Sequence, residues 1–159
     1  MIFVNTSFSE IYDLFVRTIT DYKINQYFRL GESSLETYLE PYLRFSVVKF
    51  DNACETSLSD SLDLVAKEFT RELREKEKVI IAHLMIEPWF RPVENDLIDI
   101  EMGLSTTDFK RYSEAQHIKE MRDKMQVIRE ENSQLLADYQ LSDGVDWKEW
   151  QNGNFYNAG

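Results

Sequence analysis

Apolar residues recur every three or four positions along several stretches of the chain, which is the spacing that places them on one face of an α-helix. The first stretch has Ile11, Tyr12, Phe15, Ile19 and Tyr22, and the second has Leu39, Leu43, Val47 and Phe50. A third runs from Glu72 to about Trp89 and is apolar on several sides, which predicts the central and most buried helix. The pattern predicts an all-α fold, a small helical bundle, and one core shared by nine of these apolar residues: Phe15, Ile19, Leu39, Leu43, Val79, Ile80, Leu84, Met85 and Trp89.

Local signals predict where the first two helices begin. Ser7 and Glu10 have the Ser-x-x-Glu spacing of a capping box, and Ser33 and Glu36 repeat it. Pro41 predicts a kink in the second helix or a late start, because proline lacks the backbone donor and clashes with the preceding turn.

The segments that follow have weaker signals. Residues 51–61 are small and polar, which predicts a loop, and residues 61–71 fit either a short extended segment or a helical turn. Pro88 and Pro92 predict that the third helix breaks or bends near Trp89.

A long, charged helix is predicted from Thr107 to about Tyr139, capped by residues 105–108. Its apolar positions follow a seven-residue repeat: Ile118, Met121, Met125, Ile128, Leu135 and Tyr139, with Asn132 in the same stripe. A polar residue at such a position fixes helix register. The stripe predicts either packing on the chain's own bundle or pairing with a second copy in a coiled coil.

Residues 140–159 are predicted to be an aromatic C-terminal arm, separate from a helical domain of residues 1–139. The arm is too polar to form its own core, yet it has four large aromatic residues: Trp147, Trp150, Phe155 and Tyr156. Aromatic side chains bury a large apolar area at low entropic cost, so these four are the predicted partner-binding residues. The alternative is that the arm folds back on its own domain.

Composition and charge exclude several classes of protein. A net charge of −11 argues against a dedicated nucleic-acid binder, which needs clustered lysine and arginine. The lone Cys54 excludes an intramolecular disulfide. We expect neither a signal peptide nor a membrane-spanning segment, because no suitable apolar run occurs.

Candidate chemistry is sparse. His83 and Glu87 are four residues apart and could hold a divalent ion, but His83 lies in an apolar segment where a hydrogen-bonded core histidine is the expected role. Asp96, Asp99 and Glu101 are predicted to form a solvated acidic loop. Without a phosphate-binding glycine loop, nucleophile elbow or Cys/His ligand spacing, we expect no catalytic residues, no metal and no cofactor.

Two stretches resemble short virion proteins of tailed phages that infect Gram-positive bacteria, of the head–tail connector or neck adaptor type. The first comprises residues 11–15 (IYDLF), 19–22 (ITDY), 38–43 (YLEPYL) and Phe50. The second comprises residues 84–90 (LMIEPWF), 104–105 (LS) and 108–113 (DFKRYS), before the long charged helix. Together they cover most of residues 8–139, and their motifs are apolar packing patterns.

The resemblance implies a structural virion protein and not an enzyme. Such adaptors are small helical proteins that form a ring under the portal, often twelvefold, through which DNA passes without specific binding. The expected partners are the portal protein and neighbouring neck or tail-completion proteins, without a membrane. The expected location is the virion neck, with assembly in the host bacterial cytoplasm. Alternatives are a host cytoplasmic coiled-coil adaptor or regulatory protein, and an all-α metal-dependent hydrolase.

Overall fold

The fold is mostly helical with one very small sheet. The computed structural model describes residues 4–21, 35–92 and 110–143, and all structural statements here concern those residues. The helices are α1 (Phe8–Asp21), α2 (Leu35–Cys54), α3 (Glu75–Leu84), α4 (residues 86–92) and α5 (Lys110–Asp143). The strands are β1 (Thr6–Ser7), β2 (Leu62–Asp63) and β3 (Glu68–Phe69). The helical character is confirmed, whereas the sheet was not predicted.

The N-terminus of α1 has the predicted cap. The Ser7 backbone N–H lies 3.3 Å from the Glu10 carboxylate, and the Ser7 hydroxyl accepts from the Ser9 backbone N–H, also at 3.3 Å. These contacts satisfy two of the backbone donors that a helix start leaves unpaired. The corresponding caps at Ser33 and at residues 105–108 lie outside the described residues.

Helix α2 begins six residues before Pro41, at Leu35, so the proposed late start is wrong. The helix also continues to Cys54, beyond the predicted loop boundary at Asp51. Glu55 follows with a φ of 52°, and the Thr56 N–H bonds to the Asp51 carbonyl at 3.2 Å, which is the pattern of a Schellman C-cap.

The segment after α2 is held by the Asp51 carboxylate. This group accepts hydrogen bonds from the Thr56 hydroxyl at 2.5 Å, the Leu58 N–H at 2.8 Å and both the N–H and hydroxyl of Ser59. Burial alone would raise the pKa of Asp51, but these bonds outweigh it and hold that pKa below its ordinary value. A 3₁₀ turn, Leu58–Ser61, follows.

The small sheet resolves the ambiguity in residues 61–71 in favour of extended structure. Strand β3 lies between β1 and β2 and pairs antiparallel with both. The β2–β3 turn is fixed by the Asp63 carboxylate, which accepts from the N–H groups of Val65 and Ala66. The sheet brings the chain back beside the start of α1.

Helix α3 ends at a position where a downstream proline disfavours further helix. A proline ring clashes with the carbonyl four residues earlier and cannot donate to it. For Pro88 that residue is Leu84, the last residue of α3, and the chain turns at Met85 before α4. The break predicted near Trp89 therefore falls four residues earlier.

Helix α3 is central, as predicted, because it contacts α1, α2 and α5. The residues predicted to share the core are buried except for Val79: Phe15, Ile19, Leu39, Leu43, Ile80, Leu84, Met85 and Trp89. Val79 is 45% exposed, which corrects its assignment to the core. The rings of Phe15 and Trp89 meet edge to face, with centroids 5.6 Å apart.

Within the described ranges, no helix combines the length and the apolar character required to cross a bilayer.

Candidate functional site

The predicted partner-binding residues Trp147, Trp150, Phe155 and Tyr156 lie outside the described residues. The structure does describe the part of the chain from which they extend. Helix α5 runs to Asp143, four residues past its predicted end, so residues 140–143 are helical. Near this end, the Gln140 side chain bonds to the Ala53 carbonyl, and Cys54 Sγ lies 3.7 Å from the Leu136 carbonyl. The arm therefore begins beside the C-terminal end of α2.

The apolar stripe of α5 packs on the chain's own fold. Met121, Met125, Ile128, Asn132 and Tyr139 are all buried, and α5 contacts both α2 and α3. These positions are occupied within one chain, which supports the bundle interpretation over the self-pairing coiled coil. Burial is not described for Ile118, and Leu135 is half-buried.

Polar side chains also join α5 to α3 and α4, and we call them the polar seam. Its members are Glu77, His83 and Glu87 on one side and Arg129, Glu131, Asn132 and Tyr139 on α5. They form three separate groups, described in turn.

The first group centres on the Glu77 carboxylate, which is buried at the start of α3. It accepts from the Tyr139 hydroxyl at 2.9 Å, from the Arg74 side chain at 3.0 Å and from the Arg74 backbone N–H at 2.9 Å. Arg74 also donates to the Tyr139 hydroxyl at 2.5 Å. Burial alone would raise the pKa of Glu77, but the bonds from Arg74 and Tyr139 hold it below its ordinary value.

Aromatic and cationic contacts surround the ring of Tyr139. The Tyr139 ring meets Phe50 edge to face at 4.7 Å, and Arg74 and Lys76 lie 5.3 and 5.6 Å from its centroid. Such contacts add attraction beyond area burial. Tyr139 is thus the residue through which the last turns of α5 hold both α2 and α3.

The second group is His83 with Asn132 and Glu131. The His83 Nδ1 and Asn132 Oδ1 atoms are 2.6 Å apart, and Nε2 lies 3.2 Å from a Glu131 carboxylate oxygen. His83 is therefore a hydrogen-bonded core histidine, as predicted. The Asn132 amide nitrogen is buried without a hydrogen-bond partner among the described atoms.

The third group is Glu87 with two cations. Its carboxylate lies 2.8 Å from the Lys49 ammonium on α2 and 3.7 Å from the Arg129 guanidinium on α5. Burial alone would raise the pKa of Glu87, but Lys49, Arg129 and Arg91 together hold it below its ordinary value. Glu87 thus pairs with cations, whereas His83 pairs with Asn132 and Glu131.

These contacts show how His83 and Glu87, whose spacing could hold a divalent ion, are used in the fold. The two side chains use their polar atoms on different partners, and the described part of the chain contains no cluster of three or more histidine, cysteine, aspartate or glutamate residues suited to a metal ion. Asp96, Asp99 and Glu101 lie outside the described residues.

The outer face of α5 is polar and carries charges of both signs. Its exposed residues include the carboxylates Glu120, Asp123, Glu130 and Asp138 together with Lys119, and the cations Arg122 and Lys124 are half-buried. A shallow, open depression of about 400 Å³ lies on the same helix and is lined by Gln126, Arg129, Glu130, Ser133 and Gln134. This face therefore presents hydrogen-bonding groups and mixed charge to its surroundings.

A different surface lies on α2, and we call it the α2 stripe: Pro41, Arg44, Phe45, Val48 and Asn52, all exposed. Phe45 and Val48 are 41% and 49% exposed, and the guanidinium of Arg91 lies 5.8 Å from the Phe45 ring centroid. This surface was not predicted from the sequence, because only the apolar positions on the buried face of α2 were considered. The signal was present as apolar residues at a second helical spacing, on the opposite face.

No protein-family model, no curated protein and no solved structure matches the chain. Its function must therefore be inferred from its own residues.

Proposed function

We propose that this chain is a structural virion protein of a phage neck, a ring-forming head–tail connector between the portal and the tail. The observation that carries the proposal is the resemblance of its two apolar stretches to such adaptors. Their matched positions form one core: Ile11, Tyr12, Phe15 and Ile19 from the first and Leu84, Met85, Ile86, Trp89 and Phe90 from the second are all buried. Apolar residues of both stretches thus contribute to the packing of one core.

The charge distribution supports passage of DNA without binding. The chain has 29 acidic and 18 basic residues and a net charge of −11. A protein with this excess of carboxylates is repelled by phosphates on average, so a ring built from it lets DNA slide through its channel. The chain would act in the virion neck after assembly in the host bacterial cytoplasm.

The aromatic arm supplies the contact with neighbours in this proposal. Trp147 and Trp150 are the anchors that bind an adjoining copy, the portal or the next ring. Phe155 and Tyr156, which follow Gly153 in the sequence, reach a second pocket. Buried aromatic anchors commonly cost about 2 kcal/mol or more when cut to alanine. Free copies of the protein have the same large negative charge and repel one another. The protein therefore stays a monomer or a small species until a portal provides a template.

Particle assembly in the phage that encodes the chain tests this function. Deleting its gene should leave DNA-filled heads and separate tails, visible by electron microscopy, and a plasmid copy should restore joined particles. The protein should also be found by mass spectrometry in purified particles, in several copies per portal ring. Absence from the particles, or normal joining without the gene, would refute the proposal.

The arm can be tested in the same assay with the Trp147→Ala, Trp150→Ala double variant. We expect it to fold normally, by circular dichroism, and to fail to enter particles. Val65→Ala is a suitable control, because Val65 is 95% exposed on the β2–β3 turn and remote from the arm in sequence. If both variants enter particles equally well, the arm is not the element that binds the neighbouring proteins.

A further inference from the structure

The α2 stripe is apolar and cationic in a strongly acidic protein. Phe45 and Val48 supply the apolar surface, and Arg44 and Arg91 lie beside them. The nearby α2 carboxylates are engaged elsewhere: Glu40 pairs with Lys67, and Asp51 caps the turn after α2. This surface therefore fits a ligand that combines aromatic groups with negative charge.

The arm has that combination. Asp146 and Glu149 alternate with Trp147 and Trp150, and Lys148 is the one cation between them. Indole rings cover exposed apolar side chains well, and arginine stacks on aromatic rings and pairs with carboxylates.

The arm also begins near the C-terminal end of α2, on the core side of that helix, and reaches the stripe by passing around the helix end. Helix α5 is tied to α2 by the contact of Gln140 with the Ala53 carbonyl, next to Asn52, and it ends at Asp143. From Asn52 to Pro41 the stripe measures about 17 Å along the helix. Residues 144–159 span on the order of 50 Å when extended. The arm is thus long enough to cover the whole stripe from its own end of α5.

We propose that residues 144–159 bind the α2 stripe of their own chain in the free protein. Trp147 and Trp150 cover Phe45 and Val48, while Asp146 and Glu149 face Arg44 and Arg91. A short tether gives the arm a local concentration on the order of millimolar, which favours its own stripe over that of another copy. The anchors then stay covered until a template displaces them. This consequence for assembly rests on the proposed neck function, whereas the binding itself does not.

Fluorine NMR of the full chain with 5-fluorotryptophan tests the contact. The protein has three tryptophans, so Trp147→Phe and Trp150→Phe assign the arm resonances and leave Trp89 as an internal reference for the core. In the wild type, we expect the arm resonances to lie away from the position of free fluorotryptophan and to be unchanged by dilution.

Val48→Asp should move both arm resonances to the free position without moving that of Trp89. The matched control is Val127→Asp, because Val127 is 46% exposed on α5, close to the 49% of Val48. This control should leave all three resonances in place. Arg44→Glu should release the arm in part, and adding Glu149→Arg should restore the contact.

Other results would overturn the proposal. Arm resonances already at the free position in the wild type would show that nothing covers the tryptophans. Resonances that move on dilution would identify the arm of a second copy as the occupant. An equal response to Val48→Asp and Val127→Asp, or none to either, would place the arm elsewhere and leave the stripe to another segment or a partner. These NMR results do not depend on incorporation into particles, so the neck function is tested separately by particle assembly.

Discussion

The contact between α1 and α3 and the contact between α5 and the rest of the fold differ in chemistry. The first is apolar: Phe15, Ile19 and Leu84 belong to one buried core, and Phe15 also meets Trp89 of α4 edge to face. The second includes the polar seam, in which Glu77, His83 and Glu87 each have a specific partner. Apolar burial is strong but non-directional, whereas buried polar pairs contribute less net stability and penalise any other register. The core therefore holds the fold, and the seam determines where the long helix lies.

The largest effect should come from the apolar side of this comparison. Leu84→Ala removes a fully buried side chain between α1 and α3 and should lower the free energy of unfolding by about 2–5 kcal/mol. Urea denaturation followed by circular dichroism measures the loss. Val79→Ala on the same helix is the control and should change the stability by less than about 0.5 kcal/mol, since Val79 is half exposed. Equal losses would mean that α3 is not the central helix.

Tyr139→Phe tests the first group of the seam. It keeps the ring on Phe50 but removes the hydroxyl that donates to Glu77, so the buried carboxylate loses a donor. The expected loss is about 1.5–3 kcal/mol. Tyr12→Phe is the matched control, because the buried Tyr12 hydroxyl has no hydrogen-bond partner among the described atoms, and its removal should cost almost nothing. If both variants behave alike, the Tyr139 hydroxyl does not hold α5.

Asn132→Leu tests whether the seam favours specificity over stability. The single variant leaves His83 Nδ1 without its acceptor and should cost about 1–3 kcal/mol. The double variant Asn132→Leu, His83→Leu removes both partners and should recover most of that loss. Thermal unfolding of the wild type, the single variant and the double variant decides the matter, and a double variant less stable than the single variant would show that the pair stabilises outright.

The smallest effect is the pH dependence that the seam confers. The folded-state pKa values of Glu77 and Glu87 are held below the ordinary value of 4.5. At a pH between the folded-state values and 4.5, the unfolded chain therefore binds more protons than the folded chain. The free energy of unfolding must therefore fall as the pH drops below about 4.5 and approaches the folded-state values. Glu77→Gln, which cannot titrate, should reduce the slope of that fall in denaturation measured between neutral pH and pH 3. An unchanged slope would exclude Glu77 as a source of it.

Much of the apolar architecture could be predicted from the sequence. Phe15, Ile19, Leu39 and Leu43 follow from helical spacing, because period alone determines which residues share a face. Val79 was misassigned because the third helix is apolar on several sides and spacing cannot locate its solvent edge. The sheet was missed because a strand of two residues shows no alternation.

The polar contacts could not be predicted because their partners are far apart in sequence. His83 and Asn132 are separated by 49 positions, and Glu77 and Tyr139 by 62. Sequence reasoning gave each residue a role, a core histidine and a register-fixing asparagine, without joining them. The end of α2 was placed at Asp51 because this residue favours turns, whereas the structure uses its carboxylate to cap the segment beyond Cys54.

The small sheet limits the ways in which copies of this protein can associate. Long, unpaired edge strands offer a row of free backbone groups on which another chain can add a strand, and this route leads to aggregates without defined size. Here both edge strands, β1 and β2, are two residues long. An edge that short offers almost no ladder to extend. Crowding many copies together therefore carries little risk of fibre growth from this sheet, and contacts between copies depend on side chains and not on a backbone ladder at this sheet.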